Sequence, residues 1–300
     1  MEAAGKRYIL YSGQNTEIRL SAFADLHYGT KACAIDLFQK EVKEVKKDPC
    51  GFWLTVGDMA EFISPSDPRF DPSCIDDKAI KASQLGSLGY QLMSQVSRFL
   101  MPIKPKGIGA GTGNHEYRYM LEKEQQQLHH WLCTQLQVSN LGYSSFLDLT
   151  FVKIRGRKEP ELMPLSWSRW KAAKTHSLSN AQTFRIVTWH GAGAANTRGG
   201  KTNNLERLMK RFPRGHIYIM AHAHDQTVLV TSPIDADASC TKIIARPQIG
   251  IITGAFYKTY KQGLTTYGEL KGYEPSTLGA VQLTIQPARR RVSTSLGGEL

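Results

Sequence analysis

The 300-residue sequence lacks any long apolar run. No stretch reaches the roughly 18 consecutive apolar residues that a membrane-spanning helix needs. The N-terminal segment from Met1 to Arg7 also lacks the apolar core of a secretory signal peptide. We therefore expect a protein that has no membrane partner and stays in the cytoplasm.

Cysteine is scarce and shows no pattern. There are five cysteines, an odd number, and no two of them have the Cys-x-x-Cys spacing of a metal or redox site. This predicts reduced thiols rather than a disulfide framework. Free cysteines usually pack as small apolar side chains, so we expect all five to be buried. They are Cys33, Cys50, Cys74, Cys133 and Cys240.

Acidic residues are few, since 26 Asp and Glu stand against 38 Lys and Arg, for a net charge of +12. The imbalance is local: the stretch from Lys153 to Arg214 holds fourteen basic and three acidic residues, a net +11. Trp167 and Trp170 lie within it and are candidates for stacking a base. Because the stretch brackets His190, we expect its charge to lie beside that histidine, including the charges of Arg155, Arg157, Lys158, Lys171 and Lys174. A basic surface of this kind suits a polyanionic substrate such as DNA or RNA, and it is equally typical of a solvated face.

The sequence alternates extended and helical patterns and has no internal repeat. With 41% hydrophobic residues, it predicts one sizeable α/β domain over 1–286 with helical insertions, followed by a disordered tail over 287–300. Extended patterns cover 17–24, 52–56, 183–189, 216–221, 227–231, 242–253 and 279–285. Helical patterns cover 35–47, 78–100, 118–136 and 203–211.

Short polar segments follow five of the apolar runs. In chain order they are Asp25-Leu26-His27, Gly57-Asp58, Gly113-Asn114-His115-Glu116, Trp189-His190-Gly191 and His222-Ala223-His224. In open α/β sheets, functional sites lie beyond the carboxyl ends of the strands. We therefore expect these segments to meet and to supply enough carboxylate, imidazole and amide ligands for two divalent metal ions.

The five segments resemble the signature of the calcineurin-like metallophosphoesterases, which runs D-x-H, G-D, G-N-H-[D/E], H and G-H-x-H in the same order. The resemblance spans Asp25 to His224, most of the chain. It implies a four-layer αββα sandwich, in which two mixed β-sheets pack face to face between flanking helices. It also implies a dinuclear metal site at the carboxyl ends of the strands.

The same resemblance implies a ligand for each metal position. One ion would be held by Asp25, His27, His224 and Asp58, and the other by Asn114, His190, His222 and Asp58, whose carboxylate would bridge the two. These donor types suit Mn²⁺ above all, with Fe, Zn²⁺ or Ni²⁺ as alternatives. Two such ions roughly 3.5–4 Å apart can clamp a phosphoryl group and turn a bridging water into an attacking hydroxide.

His115 and Glu116 would act beside the ligands. The resemblance makes His115 the proton donor to the leaving oxygen, or a stabiliser of phosphoryl charge. Glu116 would orient that imidazole, or form a structural salt bridge. Two departures matter: Ala221 replaces the glycine before H-x-H, and no arginine follows Asp58 closely or precedes Asn114. The missing arginines argue against a Ser/Thr protein phosphatase.

The glycine-rich segment from Gly191 to Lys201 offers main-chain N–H groups and the side chains of Arg198 or Lys201 to a phosphate, or it is a plain connection. The favoured function is a metal-dependent phosphodiesterase or nuclease that acts on nucleic acid or a nucleotide. The alternatives are a phosphomonoesterase for a small phosphorylated metabolite and a non-catalytic nucleic-acid-binding protein with a vestigial metal site. The pattern leaves the oligomeric state open.

Overall fold

The computed structural model describes residues 1–63, 65, 67, 69–81, 87–123, 127–167, 181–193, 195 and 197–297. Its strands are β1 (Glu2–Tyr11), β2 (Ile18–Phe23), β3 (Gly51–Val56), β4 (Gly107–Gly111), β5 (Ser139–Gly142), β6 (Ser144–Lys153), β7 (Glu161–Leu162), β8 (Gln182–Trp189), β9 (Ile217–Met220), β10 (Thr227–Thr231), β11 (Ile234–Ala236), β12 (Ile243–Ala245), β13 (Gln248–Ile252), β14 (Val281–Gln286) and β15 (Arg291–Thr294). Its helices are α1 (Ile35–Lys47), α2 (Leu88–Leu100), α3 (Asn114–Glu122), α4 (Gln127–Leu136), α5 (Arg198–Arg211) and α6 (Tyr267–Leu270).

The strands form two mixed sheets and one separate hairpin. A seven-stranded sheet has the order β10-β13-β9-β8-β6-β1-β7, and a six-stranded sheet has the order β15-β14-β2-β3-β4-β5. Strands β2, β3, β4 and β5 are parallel neighbours, as are β8 and β9. Strands β11 and β12 pair only with each other. The parallel neighbours bring their carboxyl ends to common edges.

The two sheets pack face to face through one apolar cluster. Leu54 and Ile108 of the six-stranded sheet and Ile186 and Ile217 of the seven-stranded sheet are among its fully buried members. Strand β3 is buried along its whole length, as expected for a strand covered on both faces.

Helices cover the outer face of each sheet. Phe38 of α1, Leu92 of α2 and Leu132 of α4 pack in one cluster on the outer face of the six-stranded sheet. Leu205 and Leu208 of α5 pack on the outer face of the seven-stranded sheet. The chain therefore has the four-layer αββα architecture that the resemblance implied.

Strands and helix boundaries were both predicted incompletely, since no predicted extended pattern covers β1, β4, β5, β6, β7, β11 or β15. The helix over 35–47 is confirmed, because its apolar residues recur on one face. Helix α2 begins only at Leu88, so the prediction of a helix from 78 is wrong at its start. Helix α3 begins at Asn114, four residues before the predicted 118. Helix α5 begins at Arg198 instead of 203, because the Thr197 side chain caps the N–H of Gly200.

The predicted disordered tail is wrong for the residues that the structure describes. Strand β15 pairs antiparallel with β14, and Val292 lies opposite Ile285. Val292 is fully buried and joins the cluster between the sheets, which stabilises the strand although it follows an arginine run. Residues 298–300 of the predicted tail lie outside the described part. A single domain over 1–286 stays a prediction.

The cysteines do not follow one rule. All five are free thiols. Cys133 is buried, as predicted, but Cys33, Cys50 and Cys74 are half-buried and Cys240 is exposed.

Within the described ranges, no helix is long and apolar enough to cross a membrane.

Candidate metal centre

Five neighbouring strand ends deliver the predicted ligands. In the six-stranded sheet, β2 leads to Asp25 and His27, β3 to Asp58, and β4 to Asn114. In the seven-stranded sheet, β8 leads to His190, and β9 to His222 and His224. Since β2, β3 and β4 are parallel neighbours and β8 and β9 are another parallel pair, their ends meet on one side of the sandwich.

Asp25, His27 and His224 form the first ligand cluster. The Nε2 atoms of His27 and His224 lie 3.3 Å apart. Oδ1 of Asp25 lies 3.5 Å from Nε2 of His224 and 4.0 Å from Nε2 of His27. Three potential donor atoms therefore point at one small space.

Asp58, His190 and His222 form the second ligand cluster. Oδ2 of Asp58 lies 3.1 Å from Nε2 of His190. Oδ1 of Asn114 lies 3.1 Å from the same nitrogen, which adds an amide oxygen to the cluster. The structure therefore brings together all seven residues predicted as ligands.

The Asp58 carboxylate lies between the two clusters. Its Oδ1 atom accepts a hydrogen bond of 2.9 Å from the main-chain N–H of His115. Its Oδ2 atom lies 3.1 Å from Nε2 of His190 and 3.9 Å from Nε2 of His27. One oxygen is thus fixed by the backbone, and the other faces both clusters, as a shared ligand must.

An unsatisfied buried oxygen tests whether these residues fit a metal ion. Oδ1 of Asp25 is buried and has no hydrogen-bond partner among the residues that the structure describes. Oδ2 of the same carboxylate accepts the N–H of His222 at 2.9 Å. A buried, unpaired carboxylate oxygen is costly unless a cation compensates it. The mixed oxygen and imidazole donor set fits a divalent metal ion.

The ligand loops have an uncommon backbone conformation. Asp25, His27, Asp58, His222 and His224 have positive φ angles of 51°, 48°, 51°, 67° and 49°. Non-glycine residues adopt this left-handed region uncommonly, and such strain concentrates at functional sites. Main-chain hydrogen bonds from Asp25 to Gly57 and from His27 to Asp58, both 3.0 Å, tie these two loops together.

Hydrogen bonds on the outer ring nitrogens aim the imidazoles inward. Nδ1 of His27 lies 2.8 Å from Oε2 of Glu61, and Nδ1 of His190 lies 2.8 Å from the carbonyl oxygen of Val56. Such partners fix the tautomer and orientation of a metal-binding histidine. Glu61 was missed from the sequence, where its only signal was its place three residues after Asp58.

Burial and neighbouring charges shift the pKa values of the residues in the second ligand cluster. Burial alone would raise the pKa of Asp58, but the charges of His190 and His115 hold that pKa well below its usual range. Burial lowers the pKa of His190, but the Asp58 carboxylate beside it raises the pKa to about 9. Burial and the neighbouring His190 lower the pKa of His222 to about 4. Asp58 therefore stays ionised and ready to bind a cation.

His115 lies beside the ligands with both ring nitrogens in use. Its ring meets that of His27 edge-on, with centroids 4.6 Å apart. Nδ1 lies 2.6 Å from the carbonyl oxygen of Glu61, and Nε2 lies 3.3 Å from Nη1 of Arg69. His115 is also close enough to His27 and Asp58 to form a third possible ligand group. Its placement as a non-ligand acid stays a prediction.

Glu116 does not orient the His115 imidazole, so that prediction is wrong. Its buried carboxylate accepts the main-chain N–H groups of Asp58, Met59 and Gly113 at 2.9, 2.6 and 2.9 Å. Burial raises its pKa to about 7. Since α3 begins at Asn114, Glu116 lies in the first turn, where an acidic side chain folds back on the helix N-terminus. It therefore joins two ligand loops.

Of the two cations predicted to bind phosphate, Lys201 lines the cavity over the ligand clusters. Its Nζ lies 3.1 Å from Glu274 and 3.8 Å from Asp225. The Arg198 side chain is 72% exposed, and it donates to the carbonyl oxygen of Gln226 at 3.1 Å. Lys201 is thus the better placed of the two.

Trp167 lies away from the ligand clusters. Its ring meets that of Tyr8 edge-on, with centroids 5.2 Å apart, and it packs with Val152. Tyr8 pairs with Thr150, towards the far end of β6 from the site. The proposed stacking of a base on Trp167 at the metal centre therefore has no support from its position. Trp170, the other candidate, lies outside the described residues.

Part of the basic stretch also lies far from the centre. Ser144 of β6 pairs with Trp189, next to His190, whereas Lys153 ends β6 at the opposite end. Nine residues of strand span about 30 Å. Arg155, Arg157 and Lys158 follow Lys153, so the expectation that their charge lies beside the second cluster is wrong. Lys171 and Lys174 lie outside the described residues.

A cavity of about 440 Å³ opens over the two clusters. Arg69, which the sequence gave no reason to select, lies in its wall. Asp67 holds the guanidinium with contacts of 3.0 Å at Nε and 2.9 Å at Nη2. Nη1 is left facing His115. The cavity therefore contains a preorganised cation beside the ligand clusters.

Several solved structures are distantly similar to the chain. No protein-family model and no curated protein matches the chain. A conserved uncharacterized protein, a predicted phosphoesterase, from Streptococcus pneumoniae TIGR4 is 8% identical, with a TM-score of 0.34 and coverage of 95% of this chain and 98% of that one. A 5'-nucleotidase from Candida albicans SC5314 is 12% identical, with a TM-score of 0.39, and the match covers 95% of this chain and 52% of that one.

A Vps29 double mutant from Entamoeba histolytica is 9% identical, with a TM-score of 0.33 and coverage of 95% of this chain and 98% of that one. All three TM-scores are below 0.5, so these likenesses carry no argument about function.

Proposed function

We propose that the chain is a metal-dependent phosphoric ester hydrolase that cleaves a phosphodiester of a nucleotide or nucleic acid. The observation that carries the proposal is the Asp58 carboxylate, whose Oδ2 faces both His190 and His27 while Oδ1 is fixed by the backbone. Two divalent ions, with Mn²⁺ favoured, would be held by the two clusters that share Asp58. When bound, such ions neutralise phosphoryl charge and provide a nucleophile near neutral pH.

Arg69 supplies the cation that the sequence lacked beside its motifs. Asp67 engages Nε and Nη2 of its guanidinium, so the group is held in place before a substrate arrives. Nη1 remains directed into the cavity, where it can donate to a phosphoryl oxygen. Such a contact would hold the phosphate next to His115.

His115 is placed to exchange a proton with the leaving oxygen. Its Nδ1 donates to the carbonyl oxygen of Glu61, so Nε2 is the nitrogen that would carry the proton once Nη1 of Arg69, which lies 3.3 Å from Nε2, turns to a phosphoryl oxygen. A general acid in this position supports departure of an alkoxide, which is a poor leaving group without a proton.

The charge of the cavity wall favours a diester over a monoester. Outside the ligand clusters, the charged side chains among the described wall residues are Glu61, Arg69, Lys201 and Glu274, a balanced set. Such a wall suits the single negative charge of a phosphodiester better than the double charge of a monoester. Tyr257, Tyr267 and Tyr273 in the same wall offer aromatic faces to a base.

Two model substrates test the proposal. Protein stripped of metal by a chelator and reloaded separately with Mn²⁺, Fe²⁺, Zn²⁺ or Ni²⁺ is assayed on bis(4-nitrophenyl) phosphate and on 4-nitrophenyl phosphate. We expect metal-dependent hydrolysis, with the higher kcat/KM on the diester. A higher kcat/KM on the monoester would instead indicate a phosphomonoesterase. Absence of hydrolysis with every metal would contradict the proposal, and salt-sensitive binding of DNA or RNA would then indicate a binding protein.

A further inference from the structure

A second cavity, of about 330 Å³, adjoins the cavity over the ligand clusters. Among the described residues, five line both cavities, namely Glu61, Ile63, Arg69, Tyr257 and Tyr267. We name the second cavity the side chamber. Its volume lies within the roughly 300–1,000 Å³ of small-molecule sites. The side chamber therefore lies directly beside the cavity over the ligand clusters.

The side chamber is lined mainly by apolar side chains. Phe62 and Phe70 come from the loop after β3, and Leu88 and Leu92 come from α2. Phe62, Leu88 and Leu92 are almost fully buried in the rest of the fold, so the wall is fixed by core packing. Such a wall favours an uncharged, apolar occupant.

Exposed apolar residues mark the mouth of the side chamber. Leu270 of α6 is 70% exposed and Tyr267 is 39% exposed, and both line the chamber. A single exposed leucine is ordinary, but these two lie on a four-residue helix at the entrance of an apolar cavity. An apolar ligand that entered the chamber would cover them.

The ring of Tyr257 separates the side chamber from the ligand clusters. Tyr257 lines both cavities, and its ring centroid lies 5.1 Å from that of His27 and 5.5 Å from that of His224. Arg69, also in the shared wall, directs Nη1 toward His115. A phosphate held by Arg69 therefore places its ester substituents within reach of the chamber.

We propose that the side chamber binds a flat aromatic ring carried by an ester substituent on the phosphorus that the metal centre attacks. This inference rests on the proposed phosphodiesterase function. The rings of Phe62, Phe70 and Tyr257 in the wall suit an aromatic group better than an alkyl chain. The ring is either a nucleobase or an aryl ester, since both present the same apolar face.

Model substrates that share the same leaving group isolate the effect of the other ester substituent. The methyl, phenyl and thymidine-5′ esters of 4-nitrophenyl phosphate all release 4-nitrophenolate. We expect kcat/KM for the phenyl ester to exceed that for the methyl ester by about tenfold or more, because a buried ring leaves water. A thymidine ester at least as good as the phenyl ester identifies the ring as a nucleobase, and a poorer one identifies an aryl substituent.

Two substitutions in the side chamber should remove the preference for the phenyl ester over the methyl ester. Ile75→Trp fills the chamber from its half-buried wall, and Leu270→Asp places a charge at its exposed mouth. Both should bring the phenyl-to-methyl ratio close to one and leave the methyl rate within about threefold of wild type. Ile243→Asp is the matched control, because Ile243 is 82% exposed on β12 and lines neither cavity. If Ile75→Trp fails to fold, Leu270→Asp still decides.

Binding measurements distinguish failure of the side-chamber proposal from failure of the proposed hydrolase function. Calorimetric titration of metal-free and metal-loaded protein with diphenyl and dimethyl phosphate should show tighter binding of the diphenyl ester, and Leu270→Asp should abolish the difference. Equal affinities together with equal phenyl and methyl rates would overturn the side-chamber proposal and leave the hydrolase intact. Selective diphenyl binding without hydrolysis would keep the chamber and overturn the hydrolase.

Discussion

Gly57 and Gly113 are in such close main-chain contact that a Cβ atom on Gly57 would overlap the main-chain nitrogen of Gly113. Gly57 also has a φ angle of +102°, which side-chain-bearing residues rarely adopt. The two glycines precede Asp58 and Asn114, ligands from neighbouring strands. Their close approach places the Asp58 carboxylate between the clusters and the Asn114 amide beside His190.

Gly57→Ala should therefore disrupt the metal centre. We expect loss of metal binding and a destabilised fold, because main-chain atoms that cannot move aside block the new methyl group. Isothermal calorimetry with Mn²⁺ and thermal unfolding measure the two effects. Gly199→Ala is the matched control: it lies in α5 with no atom within 4 Å of the new carbon. It should be neutral or slightly stabilising, and wild-type metal affinity in Gly57→Ala would refute the packing argument.

His115→Asn should keep the metals and lose activity. As a general acid, His115 contributes about 10²–10⁴-fold to the rate. The loss should be smaller for a 4-nitrophenyl diester than for an alkyl diester, since nitrophenolate needs little protonation to leave. Metal content and kcat for the two substrates check this. Loss of metal from the variant would make His115 a ligand, in line with its closeness to His27 and Asp58.

Glu61→Gln should weaken metal binding without abolishing catalysis. The Glu61 carboxylate lies 2.8 Å from Nδ1 of His27; glutamine keeps an acceptor there but removes the negative charge that makes the imidazole a stronger ligand, and changes of such a partner cost about 10–100-fold in metal affinity. Turnover should recover at saturating metal, which a titration of activity against metal concentration measures. Glu44→Gln, an exposed change in α1, serves as the control and should leave the titration unchanged. An unaltered midpoint in Glu61→Gln would contradict this role.

Glu41→Gln should change how stability depends on pH. Burial raises the pKa of Glu41 from 4.5 to about 7, although its carboxylate accepts the N–H of Ala280 at 3.2 Å. The folded state thus holds a proton that the unfolded chain releases near pH 4.5. The stability from this group is fully present below that pH and is lost as the pH rises through about 7.

Glutamine cannot ionise and keeps the acceptor for Ala280. The Tm of Glu41→Gln should therefore exceed that of wild type at pH 8, and the difference should shrink at pH 5. Thermal unfolding of both metal-free proteins at the two pH values measures this, because other titrating groups cancel in the comparison. A difference that is the same at both pH values would contradict the raised pKa.

The ligands could be predicted because each follows a buried strand at a fixed place in a motif. Asp25, Asp58 and His190 needed only the pattern of apolar runs and the order of the segments. Glu61 and Arg69 could not be found in this way, since both lie in an irregular loop whose path depends on packing against α2 and α3. A loop has no periodic sequence pattern that would show which distant residues it brings together.

Two predictions were wrong because the sequence pattern did not show where a helix begins or in which direction a strand runs. Glu116 was expected to orient the His115 imidazole, but α3 begins at Asn114, four residues before the predicted start, and this turns the Glu116 carboxylate back to the N–H groups of Asp58 and Gly113. The basic residues after Lys153 were expected near His190 because they are close in sequence. Strands β6 and β8 are antiparallel, so Lys153 lies at the end away from His190.

Metal content and turnover of Asp58→Asn, measured together by elemental mass spectrometry and diester hydrolysis, test the shared carboxylate most directly. Asparagine keeps an oxygen that can accept the N–H of His115 but removes the negative charge between the clusters. We predict two ions per chain in wild type, fewer than two in the variant, and a loss of turnover that follows the loss of metal. Two ions per chain in Asp58→Asn with near-native turnover would contradict a metal centre built around Asp58.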